Sequence, residues 1–151
     1  MKVLICGLPG SGKTTLAEAL ARELQCVHFN ADEIRKEINK DLGFSIEDRI
    51  EQARRMGILC DIASRWGSVV LADFVCPTPE TRTAFGADFT IWVDRIKEGR
   101  FEDTNKMFVP PEHYDVRITG KFDSCFPSHH ADDLAARIKK MIKYKHTMQG
   151  V

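Results

Sequence analysis

A glycine-rich octapeptide near the N-terminus has the residue types and spacing of a phosphate-binding loop. The stretch GLPGSGKT, Gly7 to Thr14, matches the pattern G-x-x-x-x-G-K-[ST]. Its glycines allow backbone N–H groups to turn inward around phosphates, and the start of the following helix adds the positive end of its dipole. The predicted nucleotide-binding residues are Gly7, Leu8, Pro9, Gly10, Ser11, Gly12, Lys13, Thr14 and Thr15.

Three polar side chains supply the chemistry expected around the phosphates of ATP. Lys13 is predicted to reach the β- and γ-phosphates, and the Thr14 hydroxyl to bind Mg²⁺. Asp73 ends the buried run SVVLAD, where phosphate-loop proteins place an acid that holds the magnesium ion, often through water. The alternative for Asp73 is a strand-end or turn aspartate, because aspartate commonly starts turns. We therefore predict ATP and Mg²⁺ as cofactors, with Lys13 and Asp73 as catalytic residues.

The elements that must position these side chains alternate between strand and helix. Val3 to Cys6 is a short apolar run of the kind that a strand covered on both faces requires. Helix-start signals of the capping-box kind occur at Asn30 with Glu33, and at Ser45 with Asp48. Further strands are predicted at residues 26–29, 68–74, 89–93 and 114–118. Helices are predicted after the glycine loop, where Leu16, Leu20 and Leu24 recur at four-residue steps, and at 31–39, 45–67, after Pro79, and at 128–146. The alternation predicts an α/β fold, a P-loop nucleoside-triphosphate kinase-like three-layer domain with a mainly parallel sheet.

Length and composition restrict the organisation and the partners. The 151 residues fit a single domain, residues 1–151, and no apolar run approaches the roughly 20 residues of a membrane span. Basic and acidic residues number 22 each, so the charge expected of a protein that grips long nucleic acid is missing. Five cysteines lack paired spacing and indicate reduced thiols: Cys6, Cys26, Cys60, Cys76 and Cys125. We expect a cytoplasmic protein with a small charged ligand and without a membrane or nucleic-acid partner. The sequence does not determine the oligomeric state, and a homodimer is one of the alternatives.

One long segment carries no helix or strand pattern. Residues 95–113 read RIKEGRFEDTNKMFVPPEH, which is charged and contains a proline pair. Loops of this length in compact domains are usually functional lids or disordered. We predict a lid-like loop over about residues 95–113, called the lid below.

The segment after the second predicted strand resembles a known kinase family. Residues 29–57 read FNADEIRKEINKDLGFSIEDRIEQARRMG, and together with the phosphate loop and FVCP at 74–77 they resemble adenylylsulfate kinase over about residues 1–85. The run NKDLGFS..DR is far more specific than the phosphate loop alone. That family phosphorylates the 3′-hydroxyl of adenosine 5′-phosphosulfate (APS) with ATP and magnesium on a P-loop kinase fold. The resemblance implies the same reaction here, with a small-molecule nucleotide as the partner.

The resemblance also implies roles for individual residues. Asp32 would lie by the acceptor hydroxyl as a catalytic residue, Arg35 and Arg49 would bind the phosphosulfate, and Phe44 would stack on the adenine. This agrees with the needs of phosphoryl transfer, namely an aligned hydroxyl, a carboxylate and surrounding cations. The alternatives are a helix-start acid, a solvated charged face that also includes Arg54 and Arg55, and a core phenylalanine. The substrate-binding candidates are Asp32, Arg35, Phe44, Arg49, Gln52, Phe74 and Cys76.

Two of those candidates rest on position alone. Gln52 lies three residues after Arg49 on one helix face, so one ligand can touch both side chains. Cys76 follows the strand that ends at Asp73 and is a pocket candidate, for which a small packed thiol is the alternative.

This chain departs from the family pattern at several positions. The family has Asp-Gly-Asp where this chain has Asn30, Ala31 and Asp32, so the first acid is gone, although Asn30 can still cap the helix. Gln52 replaces an asparagine, and Asp73 stands where the family usually has a small residue. The family's lid runs Lys-Gly-Leu-Tyr and Phe-Thr-Gly-Ile are missing, which makes the lid shortened or divergent. Substitute cations and a second stacking ring are available in the lid at Lys97, Arg100, Phe101, Lys106 and Phe108.

Two other functions remain open at the level of sequence. NADEIR also looks like the acceptor-side segment of polynucleotide 5′-kinases, although the balanced charge and the DLGF run argue against that acceptor. The missing first acid and lid runs are compatible with an ATP-binding regulatory module that transfers no phosphate. Retention of Lys13, Thr14, Asp32 and Asp73 argues against the module, because these are the minimal catalytic parts.

Overall fold

Parallel strands form the centre of the protein. The computed structural model describes residues 1–99, 101–120 and 128–150. Its sheet has five strands in the order β2-β3-β1-β4-β5, and every neighbouring pair is parallel. The strands are β1 Lys2–Cys6, β2 Val27–Asn30, β3 Val70–Asp73, β4 Phe89–Val93 and β5 Val116–Ile118. The helices of the described ranges are α1 Lys13–Leu24, α2 Ala31–Glu37, α3 Ile46–Ala63, α4 Pro79–Phe85, α5 Glu102–Met107 and α6 Ser128–Gln149.

Helices cover both faces of this sheet, so side chains alternate between two apolar cores. Along β1, Val3 and Ile5 pack with α1 and α6, whereas Leu4 and Cys6 pack with α3 and α4. All four side chains are at most 1% exposed, as expected of a parallel sheet covered on both faces. The predicted three-layer α/β fold with a mainly parallel sheet is confirmed.

Side-chain caps start the two helices that carry the acceptor-side candidates. The Asn30 carboxamide oxygen accepts from the Glu33 N–H at 3.0 Å, and the Ser45 hydroxyl accepts from the Asp48 N–H at 3.1 Å. Both caps were expected from the sequence, and each satisfies an N–H that a helix start leaves without a partner.

The prediction that the lid has no secondary structure is wrong. Helix α5, Glu102–Met107, lies inside it. Its six residues contain one buried position, and Thr104 occupies that position. Threonine does not count as an apolar residue in a hydrophobic pattern. Helix α5 therefore lacks the hydrophobic periodicity from which longer helices are predicted.

Helices α3 and α4 touch at a glycine. A Cβ atom on Gly57 would lie 2.6 Å from the carbonyl oxygen of Phe85. This close approach packs α3 against the C-terminal end of α4. In the described part of the chain, no helix combines the length and apolar character needed to cross a membrane.

Candidate active site

The phosphate loop joins β1 to α1 in a conformation that its glycines make possible. Gly7, Gly10 and Gly12 have φ angles of 151°, 83° and 98°, a region that residues with a Cβ rarely adopt. A Cβ on Gly7 would also lie 2.5 Å from the Val93 carbonyl oxygen. Gly12 caps α1 without a side-chain hydrogen bond, and the buried Ser11 hydroxyl has no partner within the described structure. An open helix start with a free buried hydroxyl suits an anionic ligand.

Lys13 lies inside this loop rather than on the surface. It is 8% exposed, and its Nζ donates to the Leu8 carbonyl oxygen at 2.9 Å. Burial lowers the pKa of the Lys13 ammonium from its usual value, and the nearby Asp73 and Asp32 carboxylates partly oppose that shift. Because this buried cation is held by a neutral carbonyl, the negative charge of a phosphate would stabilise it further.

Thr14 and Asp73 place two hard oxygen groups next to each other beside Lys13. The Thr14 hydroxyl donates to the Asp73 Oδ1 at 3.1 Å, and Asp73 is 2% exposed. Mg²⁺ prefers oxygen and is usually held by one or two carboxylates together with substrate phosphates and waters. The described residues contain no group of three or more His, Cys, Asp and Glu side chains that could hold a metal ion. The donor set therefore fits Mg²⁺ that is bound jointly with a nucleotide.

Two side chains on β2 also contact Asp73, and the sequence analysis gave neither of them a role at the metal. The His28 Nε2 lies against Oδ2, and the Asn30 Nδ2 donates to Oδ1 and Oδ2 at 3.1 and 3.2 Å. Asn30 is paired in register with Asp73, and His28 precedes it by two residues on the same face of β2. The signal that could have identified these two residues is a pattern of polar residues at alternate positions of β2, the strand next to the one that carries Asp73.

The phosphate loop opens into a cavity of about 510 Å³ that also reaches the acceptor-side candidates. All of the substrate-binding candidates line it: Asp32, Arg35, Phe44, Arg49, Gln52, Phe74 and Cys76. From the phosphate site, the lining residues are Pro9, Gly10, Lys13, Thr14 and Asp73, whereas Gly7, Leu8, Ser11, Gly12 and Thr15 do not line it. The structure thus brings the two groups of predicted residues into one space.

Two arginines flank an exposed aromatic ring at the acceptor end. The guanidinium carbons of Arg35 and Arg49 lie 4.5 and 5.6 Å from the Phe44 ring centre. Phe44 is 62% exposed, which rules out its alternative as ordinary core. Burial lowers the pKa of both guanidiniums, and the Arg49 charge lowers that of Arg35 further. Partly buried cations so close together repel each other, and an anion between them would relieve the repulsion.

Backbone and lid contacts hold these arginines in place. Arg35 donates to the Gly43 carbonyl oxygen, and Arg49 donates through Nε to the Phe44 carbonyl oxygen at 2.9 Å. The Nη2 of Arg49 also donates to the Thr104 hydroxyl of the lid at 3.2 Å. The alternative of a solvated charged face describes Arg54 and Arg55 instead, because these two side chains make ion pairs with acids at the surface.

Gln52, Phe74 and Cys76 line the cavity but are also part of its framework. The 1% exposed Gln52 accepts from Asn39 at 2.8 Å and donates to the Ala31 carbonyl oxygen at 3.2 Å, which joins α2 to α3. Phe74 packs edge-on against Phe85. Cys76 is 1% exposed, and burial raises the pKa of its thiol. The packed-thiol alternative therefore describes Cys76 better than a reactive group does.

The lid covers the cavity through α5. Phe101, Asp103 and Thr104 line the cavity, and Thr104 is 4% exposed. Asn105 exchanges two hydrogen bonds with the backbone of Gly99, at 2.7 and 3.1 Å. A Cβ on Gly99 would lie 3.0 Å from the Pro9 carbonyl oxygen, so the lid rests on the phosphate loop.

Among the lid candidates, Phe101 is the aromatic ring that lines the cavity. Phe108 instead lies 5.4 Å from the guanidinium of Arg82. Lys97 and Lys106 do not line the cavity, and Lys106 pairs with Glu102 at 3.0 Å. Arg100 lies outside the described residues, as does Cys125.

Comparison with known proteins identifies relatives for the first part of the chain. The family Adenylylsulphate kinase matches residues 1–91. The adenylyl-sulfate kinase of Bacillus velezensis is 43% identical over 83 residues, which cover 52% of this chain and 42% of that protein. The chain thus spans less than half the length of the curated relatives it matches.

Solved structures match over nearly the whole chain. The APS kinase of Mycobacterium tuberculosis in complex with AMPPNP and APS superposes with a TM-score of 0.76 at 22% identity, covering 94% of this chain and 96% of that one. The shikimate kinase of Aquifex aeolicus superposes with a TM-score of 0.59 at 15% identity, covering 100% of this chain and 100% of that one. At these identities the likeness establishes the P-loop kinase fold.

Proposed function

The chain belongs to the adenylylsulfate kinase family, and on that basis we propose that it transfers the γ-phosphoryl group of ATP to the 3′-hydroxyl of APS. The products would be ADP and 3′-phosphoadenosine 5′-phosphosulfate. The observation that carries the proposal is the shared cavity, in which Lys13, Thr14 and Asp73 meet Asp32 and two arginines. A phosphoryl donor and an anionic acceptor can therefore be held side by side, which supplies much of the rate in such transfers.

Each residue has a defined task in the proposed reaction. Lys13 holds the β- and γ-phosphates, and Asp32 orients the acceptor hydroxyl and takes its proton as the new O–P bond forms and the bond to ADP breaks. Thr14 and Asp73 would hold Mg²⁺, which neutralises charge on the phosphate oxygens when it is bound. Arg35 and Arg49 bind the phosphosulfate group.

The adenine of the acceptor would stack on Phe44. An exposed phenyl ring is costly to leave in water and is well suited to bind a flat base. Phe101 of the lid lines the same cavity and offers a second apolar surface.

The proposal extends to the setting in which the protein works. We place the reaction in a single domain of residues 1–151, in the cytoplasm and on small nucleotides. The equal numbers of basic and acidic residues support a small acceptor over a polynucleotide. Sedimentation of the purified protein decides whether two copies pair as a homodimer.

A coupled ADP-release assay tests the acceptor. Purified protein is given ATP and Mg²⁺ with APS, with AMP, with 5′-hydroxyl oligonucleotides, or with no acceptor. A rate with APS at least 100-fold above the others supports the proposal. Faster reaction with oligonucleotides would instead identify a polynucleotide 5′-kinase, and ATP binding without turnover on any acceptor would identify a binding module.

A matched pair of substitutions tests the position of the base. Phe44→Ala is expected to raise the KM for APS roughly 5- to 150-fold, because a stacked base contributes about 1–3 kcal/mol. Trp66→Ala is the control, since this ring is 91% exposed and does not line the cavity. The KM for ATP should stay unchanged in both variants. Equal KM values for APS in the two variants would remove Phe44 from the acceptor site.

A further inference from the structure

The Asp73 carboxylate is surrounded by donors from the neighbouring strand. Asn30 donates to both of its oxygens at 3.1 and 3.2 Å, and the His28 Nε2 lies against Oδ2. The Thr14 hydroxyl approaches Oδ1 at 3.1 Å from the phosphate loop. At 2% exposure, Asp73 depends on these groups for the hydrogen bonds that a buried charge requires.

The backbone fixes where these donors lie. Strands β2 and β3 are parallel neighbours, with Asn30 opposite Asp73 and His28 opposite Leu71. Residues two apart on a strand share a face, so both side chains on β2 are directed to the same carboxylate. The His28 side chain is 15% exposed, and packing therefore restricts its ring.

We propose that His28 and Asn30 are positioning residues that clamp the Asp73 carboxylate where it meets Mg²⁺. The inference rests on the proposed function, in which Asp73 and Thr14 hold the ion. Hydrogen-bond partners of a metal-binding carboxylate set its orientation, and their loss typically weakens metal affinity 10- to 100-fold. The metal-binding oxygen is thus oriented before the nucleotide arrives.

Asn30 also ties the clamp to the acceptor side. Its Oδ1 caps α2 by accepting from the Glu33 N–H at 3.0 Å, while its Nδ2 holds Asp73. Helix α2 carries Asp32 in its first turn. The Asn30 carboxamide therefore links α2, the helix of the proposed acceptor base, to the proposed metal ligand Asp73. A residue that only capped α2 would not make this link.

Metal binding without any acceptor tests this clamp. Mn²⁺ is used as the probe, and its dissociation constant is measured by electron paramagnetic resonance in the presence of a non-hydrolysable ATP analogue. His28→Phe keeps a ring and removes the donor, and Asn30→Ser keeps a cap and removes the reach to Asp73. Each is expected to weaken Mn²⁺ binding 10- to 100-fold, and His28→Gln, which retains an N–H donor, should recover part of the loss.

A control and a double substitution separate positioning from general structure. His113→Phe makes the same change at an exposed histidine and should leave Mn²⁺ binding unchanged. In an Asp73→Asn background, His28→Phe should have no further effect on Mn²⁺ affinity, because its effect passes through the carboxylate. Additive effects would overturn the proposal, as would Mn²⁺ affinities within twofold of wild type for both His28→Phe and Asn30→Ser.

The design also keeps this inference apart from the proposed function. No acceptor is present, so a protein that fails to phosphorylate APS still gives a decisive metal dissociation constant. Thermal melts of each variant identify any loss of folding, and if His28→Phe does not fold, Asn30→Ser and His28→Gln decide the result. Wild-type affinity in those two variants would count against the clamp, and a loss in Asn30→Ser exceeding that in His28→Gln would support it.

Discussion

Replacing Lys13 with methionine should separate folding from nucleotide binding. The ammonium is 8% exposed and donates to the neutral Leu8 carbonyl at 2.9 Å. Methionine keeps the length of the apolar stem but removes the charge. The substitution thus deletes the group that we propose contacts phosphate, and it also relieves the burial of a cation that has a neutral acceptor.

The two effects have different magnitudes. Burying an ion costs several kcal/mol, whereas a hydrogen bond from a charged donor contributes about 1.5–3 kcal/mol. Without ligand, the free energy of unfolding should therefore stay unchanged or rise by about 1–2 kcal/mol. For a chain of this length, each kcal/mol shifts Tm by about 2–4 °C.

In contrast to stability, the affinity for nucleotide should fall in the Lys13→Met variant. At a MgATP concentration 100 times Kd, the wild-type protein gains about 2.7 kcal/mol, or roughly 5–11 °C in Tm. Losing about 3 kcal/mol of charge-assisted contacts raises Kd about 150-fold, so the same concentration should raise the Tm of the variant by only about 1 °C.

Differential scanning fluorimetry with and without MgATP measures both quantities, and the ADP-release assay should show turnover reduced at least 100-fold. Lys97→Met serves as the control, because this lysine is exposed and does not line the cavity. A fall of more than 4 °C in the ligand-free Tm of Lys13→Met would refute the account of its burial. A MgATP shift at least half that of wild type would refute its role at the phosphates.

Three further substitutions address the framework and the lid. Gly57→Ala should lower the free energy of unfolding by about 1–3 kcal/mol in urea denaturation, because the new Cβ would meet the Phe85 carbonyl oxygen at 2.6 Å; a loss below about 0.5 kcal/mol would contradict the packing. Thr104→Val removes the hydroxyl that Arg49 reaches and should raise the KM for APS about tenfold, and an equal rise for ATP would count against this assignment. Asn105→Ala removes two hydrogen bonds inside the lid, so amides of residues 101–109 should exchange hydrogen at least fivefold faster by mass spectrometry, while unchanged rates would show that the lid does not depend on them.

Much of the fold follows from signals that lie close together in the sequence. The phosphate loop, the apolar run of β1 and the caps at Asn30 and Ser45 each depend on residues within a few positions. Local patterns of this kind were sufficient for the strand and helix order and for the three-layer class. They were insufficient for α5, where a polar residue, Thr104, takes the buried position.

The candidate site divides along the same line. The sequence by itself predicted a phosphate site at Lys13 and Thr14, and its resemblance to a kinase family made Arg35 and Arg49 candidates for binding an anion. Only the tertiary structure decided that both arginines flank Phe44, and that Asn30 holds Asp73. Asn30 and Asp73 are 43 residues apart and meet through the pairing of β2 with β3. That pairing depends on how helices bury both faces of the sheet, a property of the whole chain that no local pattern of residues contains.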